Sequence, residues 1–300
     1  MIDTLLKKID KMGNPTVVGL DPTIEMIPLS LKNKMYEMYG KTPKAVSEMF
    51  LSFNKEIIDS TCDIVPAVKP QIAMYERYGI DGIKAYIDTI EYAKKKQMVV
   101  IGDIKRGDIS STAAAYASHI ECTNIEGQEF DLWKEDWITV NPYLGFDGIK
   151  PFIEACNKKD RGIFILVKTS NPSSSQLQDV IVEGKTIYER VADLVCEWGK
   201  QSMGEMGYSR VGAVVGATHK EQGESLRKLM PNTFFLVPGY GAQGGTGADL
   251  KGFFDKDGRG CIINSSRGII ASYKKDSKYG ENVGEASRDA ALAMKADLQY

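Results

Sequence analysis

The chain has only two histidines, His119 and His219. Neither has a cysteine, histidine or carboxylate partner at metal-ligand spacing, so no metal centre is expected, and a histidine-based nucleophile triad has little support. The five cysteines, Cys62, Cys122, Cys156, Cys196 and Cys261, include no C-x-x-C pair. That scatter suits reduced, mostly buried thiols in a cytosolic protein. No apolar run approaches the ~18 residues that a membrane span needs. Met1 to Lys11 mixes charges among apolar residues and lacks the apolar core of a secretory leader. A formal net charge of −2 leaves no basic excess for nucleic acid or another polyanion. These absences predict a soluble, cytoplasmic protein whose chemistry runs on carboxylates and lysines.

What is present is alternation. Short apolar runs read as strands at 16–21, 63–69, 98–101, 137–141, 162–167, 211–216, 233–237 and 260–264. Between them lie helix-length segments with one apolar face. Val46, Phe50, Phe53 and Ile57 mark one such face, Ile83, Tyr86, Ile87 and Ile90 a second, and Ile187, Val191, Leu194, Val195 and Trp198 a third. A charged helix from about Val283 finishes the chain. Eight such β units predict an α/β fold, a single (β/α)8 TIM barrel forming one domain over 1–300. Insertions are expected after the first strand (about 23–42) and before the fourth (about 121–135). A mobile polar loop is expected after the fifth (about 170–184).

The chain is organised around Met98–Asp108, which starts as an apolar run and ends in Asp103, Lys105 and Asp108, spaced D-x-K-x-x-D. Two apart on an extended strand, Asp103 and Lys105 would point to the same side, before a helix that begins near Ser110. By itself the pattern reads either as a solvated charged loop or as a reactive cluster. In a barrel of this kind the active site gathers at the C-terminal strand ends. Those ends carry Asp21, Lys69, Asp103 with Lys105, Asn141, Lys168 to Asn171, Pro238 onward, and Ser265 to Arg267. Lys69 closes the run Ile-Val-Pro-Ala-Val, where a lysine either snorkels to the rim or is clamped between acids. Gly239 to Gly244 fits G-x-G-x-x-G, but it comes too late and lacks the βαβ setting of a dinucleotide fingerprint. It reads as a flexible loop or, with Arg267, as the phosphate site usual after strands seven and eight.

Together these segments resemble the orotidine 5′-phosphate decarboxylase family, in its longer bacterial form. The resemblance runs from Gly19-Leu20-Asp21-Pro22 to Ser266-Arg267-Gly268. It includes Val68-Lys69-Pro70-Gln71, Asp103-x-Lys105-x-x-Asp108-Ile109-x-x-Thr112, Val140-Asn141-Pro142-Tyr143-Leu144-Gly145, Lys168-Thr169-Ser170-Asn171-Pro172 and Pro238-Gly239-Tyr240-Gly241-Ala242-Gln243. It implies a homodimer with shared active sites that converts orotidine 5′-phosphate to UMP without cofactor or metal. The implied catalytic set is Lys69, Asp103, Lys105 and, from the other subunit, Asp108, with Lys105 as proton donor. Asp21 and the other subunit's Thr112 would hold ribose hydroxyls, Ser170 the pyrimidine amide, and Gln243 with Arg267 the phosphate. The resemblance gives Asn141 no role. Related Mg2+-dependent phosphosugar decarboxylases and aldolases share D-x-K-x-x-D but carry a further acid on the second strand, where this chain has Lys69. A silent nucleotide-sensing barrel is the other alternative.

Overall fold

Eight parallel strands close on themselves in the computed structural model, which describes residues 1–218, 220–241 and 245–299. They are β1 (Thr16–Leu20), β2 (Ala67–Pro70), β3 (Val99–Arg106), β4 (Trp137–Val140), β5 (Gly162–Lys168), β6 (Ser209–Val215), β7 (Thr233–Pro238) and β8 (Cys261–Ser265). Each strand pairs with its sequence neighbours, and β1 with β8 completes the ring. The expected TIM barrel is therefore the observed fold.

Alternation along the strands builds two cores. Odd positions on the first four strands (Val17, Ala67, Val99, Ile101, Trp137) and even ones on the last four (Phe164, Val214, Phe234, Leu236, Ile262) form one apolar cluster inside the barrel. Trp137 stacks on Phe164 with ring centroids 4.5 Å apart. Helix Ile2–Met12 places Ile2, Leu5, Leu6 and Ile9 on one face at i, i+3, i+4 and i+7, and this face joins the same cluster. It stops at Gly13, whose φ of +54° is a left-handed cap. The second core lies between the strands and the outer helices and holds Phe50, Phe53 and Ile57 of helix Pro43–Thr61 with Tyr86 and Ile90 of helix Gly79–Lys95.

Four expectations need correction: two strand ends, one position on a helix face and the burial of the thiols. The second strand starts at Ala67 rather than at Asp63, because the Ile64 and Val65 amides bond back to Thr61 at the preceding helix end. β3 runs on to Arg106, past the expected end at Ile101. Leu194 is 40% exposed, so it leaves the apolar stripe assigned to helix Ile187–Gly199. Only Cys156 and Cys261 are buried; the other three thiols are partly exposed, and all five are free. The segment at 23–42 holds a 3-10 turn, Ile24–Met26, and helix Leu29–Tyr39. That at 121–135 holds the hairpin Thr123–Ile125/Gln128–Phe130. Within 170–184 are Pro172–Ser174, helix Ser175–Gln178 and the first strand of the hairpin Ile181–Val182/Lys185–Thr186. Among the described residues, no helix is long and apolar enough to cross a membrane.

Candidate active site

The inward stripes that fill the barrel floor with apolar groups end, one step higher, in polar ones. Lys69 follows Ala67, Asp103 follows Ile101, Thr139 follows Trp137 and Asn264 follows Ile262, each two residues on. The Asp103 carboxylate is the hub. Its Oδ2 accepts from Lys69 Nζ at 2.7 Å and Gln71 Nε2 at 2.8 Å. Its Oδ1 accepts from Lys105 Nζ at 2.6 Å and Thr139 Oγ1 at 2.9 Å. Lys69 and Asp103 are buried, so Lys69 does not snorkel; the Lys105 side chain stays 47% exposed and is the ammonium open to the cavity.

Lys105 does not reach this position by plain strand alternation. The β3–β4 register shifts between Gly102 and Arg106, and Lys105 has φ of +48°, a left-handed backbone that disfavours a residue with a Cβ. Its amide donates to Thr139 Oγ1 at 3.0 Å, which helps hold the turn. Strain of this kind, about 1–3 kcal/mol, persists where surrounding contacts over-determine it, commonly at functional sites.

The electrostatics favour full ionisation of the hub. Burial pushes the Asp103 carboxyl up, but the Lys69 and Lys105 ammoniums outweigh it and hold the carboxyl far below its usual range. Burial likewise pulls Lys69 down, while Asp103 and then Asp21 overcome that and raise it.

Two lobes open from the hub and share Lys69, Asp103 and Pro238. One, of about 310 Å3, is lined by Asp21, Asn264, Ser266, Arg267 and the start of the glycine loop at Gly239 and Tyr240. Asp21 Oδ1 and Asn264 Oδ1 are buried there without a hydrogen-bond partner, and such acceptors suit a ligand that brings donors. Gly19 leaves room for the Ser266 side chain beside this lobe: a Cβ there would lie 1.9 Å from Ser266 Oγ. The other lobe, of about 370 Å3, has Lys105, Thr139, Thr169, Ser170 and Asn171 above an apolar floor of Leu166, Val214 and Leu236. One lobe thus joins a guanidinium to unpaired acceptors, and the other sets a polar rim over an apolar floor.

Residues 16–281 match the orotidine 5′-phosphate decarboxylase / HUMPS family. Over its whole length the chain is 44% identical to orotidine 5′-phosphate decarboxylase of Petrotoga mobilis, covering 98% of that protein. The chain belongs to the orotidine 5′-phosphate decarboxylase family. Among solved structures, Leishmania donovani OMP decarboxylase is similar with a TM-score of 0.73 at 29% identity, over 98% of both chains. Leishmania donovani UMP synthase gives a TM-score of 0.77 at 30% identity; 99% of this chain is covered and 55% of that one.

Of the residues that resemblance to this family singles out, the structure brings Lys69, Asp103 and Lys105 into one bonded chain. Asp21 and Arg267 line one lobe and Ser170 the other. Asp108 and Thr112 stand apart. The Asp108 carboxylate accepts from the Ile109 amide at 2.7 Å, and Thr112 is exposed on helix Ser110–Tyr116. Asn141 is exposed and accepts from the Tyr143 amide, outside both lobes. Gln243 lies outside the described residues. Among the side chains at the hub and its lobes that were given no role from sequence are Gln71, Thr139 and Asn264. For each the signal was parity, two residues beyond an inward position. No cluster of three or more His, Cys, Asp or Glu able to hold a metal occurs among the described residues.

Proposed function

We propose that the chain decarboxylates orotidine 5′-phosphate to UMP and CO2, with Lys105 as the acid that protonates C6. The observation that carries this reading is the Asp103 carboxylate shared by two ammoniums where the two lobes meet. Loss of CO2 from C6 leaves a carbanion with no adjacent carbonyl to delocalise it, so the surrounding groups must stabilise that charge and then quench it. A preoriented ammonium does both, first as a fixed positive field and then as a proton donor. Lys69, fully buried, keeps Asp103 ionised; Asp103 in turn fixes Lys105 and faces the departing carboxylate, a ground-state contribution that adds to the field of Lys105.

In the same reading Asp21 holds ribose hydroxyls, Ser170 the pyrimidine amide edge, and Gln243 with Arg267 the phosphate. The loop over 170–184 covers the ligand, so remote contacts assist the chemical step. The site is completed by a second copy of the chain, which supplies Asp108 and Thr112. Supporting this, Ile109, next to Asp108 in the chain, and Leu144, which borders Gly148 together with Asp108, are exposed apolar side chains. No cofactor or metal takes part, and the enzyme works in the cytoplasm.

Lys105→Ala is the direct test. It should lower turnover of orotidine 5′-phosphate by at least about 10⁴-fold while UMP still binds, as measured by calorimetry. Near-normal decarboxylation would remove Lys105 from its role, and loss of activity to EDTA would favour the metal-dependent branch. Mixing inactive Lys105→Ala and Asp108→Ala proteins should restore partial activity if sites are shared between subunits.

A further inference from the structure

Lys168, the last residue of β5, is completely buried, and the Asp103 hub makes no use of it. A buried ammonium is costly unless it is paired. Among the described residues, the partners of its ammonium come from the segment that follows β5. Nζ donates to Asp179 Oδ1 at 2.6 Å and to Ser174 Oγ at 3.3 Å, and it lies 5.5 Å from the centre of the Tyr188 ring. A second tie lies beside the first: the Thr169 amide donates to Gln178 Oε1 at 3.0 Å, and Gln178 Nε2 donates to Thr169 Oγ1 at 2.8 Å. The chain from Ser170 to Asp179 is therefore closed into a ring by contacts to the two residues just before it.

Ser170 is the next residue. On its other side the wall is close: a Cβ at Gly216, just after β6, would lie 2.8 Å from Ser170 Cα, and Thr218 Oγ1 donates to the Ser170 carbonyl at 3.4 Å. Ser170 is thus held between a close-packed neighbouring strand and a loop whose fold depends on one buried charge. Resting on the reading that Ser170 faces the pyrimidine, we infer that Lys168 and Asp179 are positioning residues. Their ion pair holds the loop after β5 so that Ser170 meets the base, and it thereby sets selectivity for the base over the sugar phosphate. Neither touches the reacting atoms. Opening the loop would strip the Lys168 ammonium of its counter-charge, so the pair favours the closed arrangement.

The experiment compares the affinities of UMP and ribose 5-phosphate, by calorimetry, for the full chain and for Asp179→Asn and Lys168→Met. Ribose 5-phosphate lacks the base and reports on the other lobe alone. The affinity for UMP should fall about tenfold in Asp179→Asn, the worth of roughly one misplaced hydrogen bond, with ribose 5-phosphate unchanged; Asp179→Glu should recover part of the preference. Lys168→Met should behave alike if it folds, and Asp179→Asn, on a partly exposed loop position, keeps the test open if it does not. An unchanged ratio in Asp179→Asn, whether both affinities hold or both fall together, overturns the inference alone. A wild-type protein without preference for UMP overturns the underlying reading and the inference with it.

Discussion

The floor and the mouth of this barrel are made from the same inward stripes, and they solve opposite problems. At the floor Trp137, Phe164 and Phe234 pack with the N-terminal helix into an apolar interior, where the Trp137 indole N–H is buried without a hydrogen-bond partner. One layer up, the positions that follow Ala67, Ile101 and Trp137 carry an ammonium, a carboxylate and a hydroxyl, all bonded to one another through Asp103. The floor gains stability from every methylene it removes from water, about 25 cal/mol per Å2 of apolar surface. The mouth must cancel the desolvation of each charge against another. A change on the floor should therefore cost stability and spare chemistry, whereas a change at the mouth should cost chemistry first.

The sharpest way to break that contrast is Asp103→Asn. It leaves Lys69 buried without its counter-charge, which should cost about 3–5 kcal/mol of stability and reduce turnover at least about 10³-fold, read by urea unfolding and a UMP-release assay. The same variant tests the sign of the pH dependence. The folded carboxyl of Asp103 lies below its unfolded value, so its contribution is present above about pH 4 and is lost as pH falls through the folded value. Lys69 is shifted up, so its contribution is present below about pH 10 and is lost as pH rises through its folded value. The stability gap between wild type and Asp103→Asn should thus stay level through the neutral range and shrink below about pH 4; a gap that widens on acidification would contradict an ionised hub.

On the floor, Trp137→Ala should cost about 3–5 kcal/mol and leave kcat within about twofold in whatever fraction stays folded, since Trp137 lies a full layer below Asp103. The smallest effect belongs to the boundary. Thr139→Val keeps shape but removes the hydroxyl that bonds both Asp103 and the Lys105 amide. About 1 kcal/mol of stability and several-fold in kcat are expected, with UMP affinity little changed. A loss as large as that of Asp103→Asn would mean that Thr139 does more than brace the turn.

The barrel itself was legible in the sequence because eight apolar runs, spaced by amphipathic segments, leave few other closed arrangements. Strand ends were less so. At Asp63 the apolar run continues into a turn, since Ile64 and Val65 find their partners in the helix behind them rather than in a neighbouring strand. The hub was half visible: Asp103 and Lys69 sit where alternation puts them. Lys105 does not, because a register shift and a left-handed backbone are set by pairing with β4 and leave no local trace. Gln71 and Thr139 were readable in principle from parity, but neither residue type announces itself in a strand. The polar run after Thr169 suggested a mobile loop; that this segment also contacts Lys168 through Ser174, Asp179 and Tyr188 is something composition does not reveal.

The backbone at Lys105 also bears on how this protein would change under selection. A glycine in its place would relieve the conformational penalty that any side chain with a Cβ carries there. A library screened for heat resistance alone would set that relief against the lost ion pair with Asp103, whereas one screened for UMP formation would hold the lysine in place. Endurance leaves this single position open to exchange, and turnover does not.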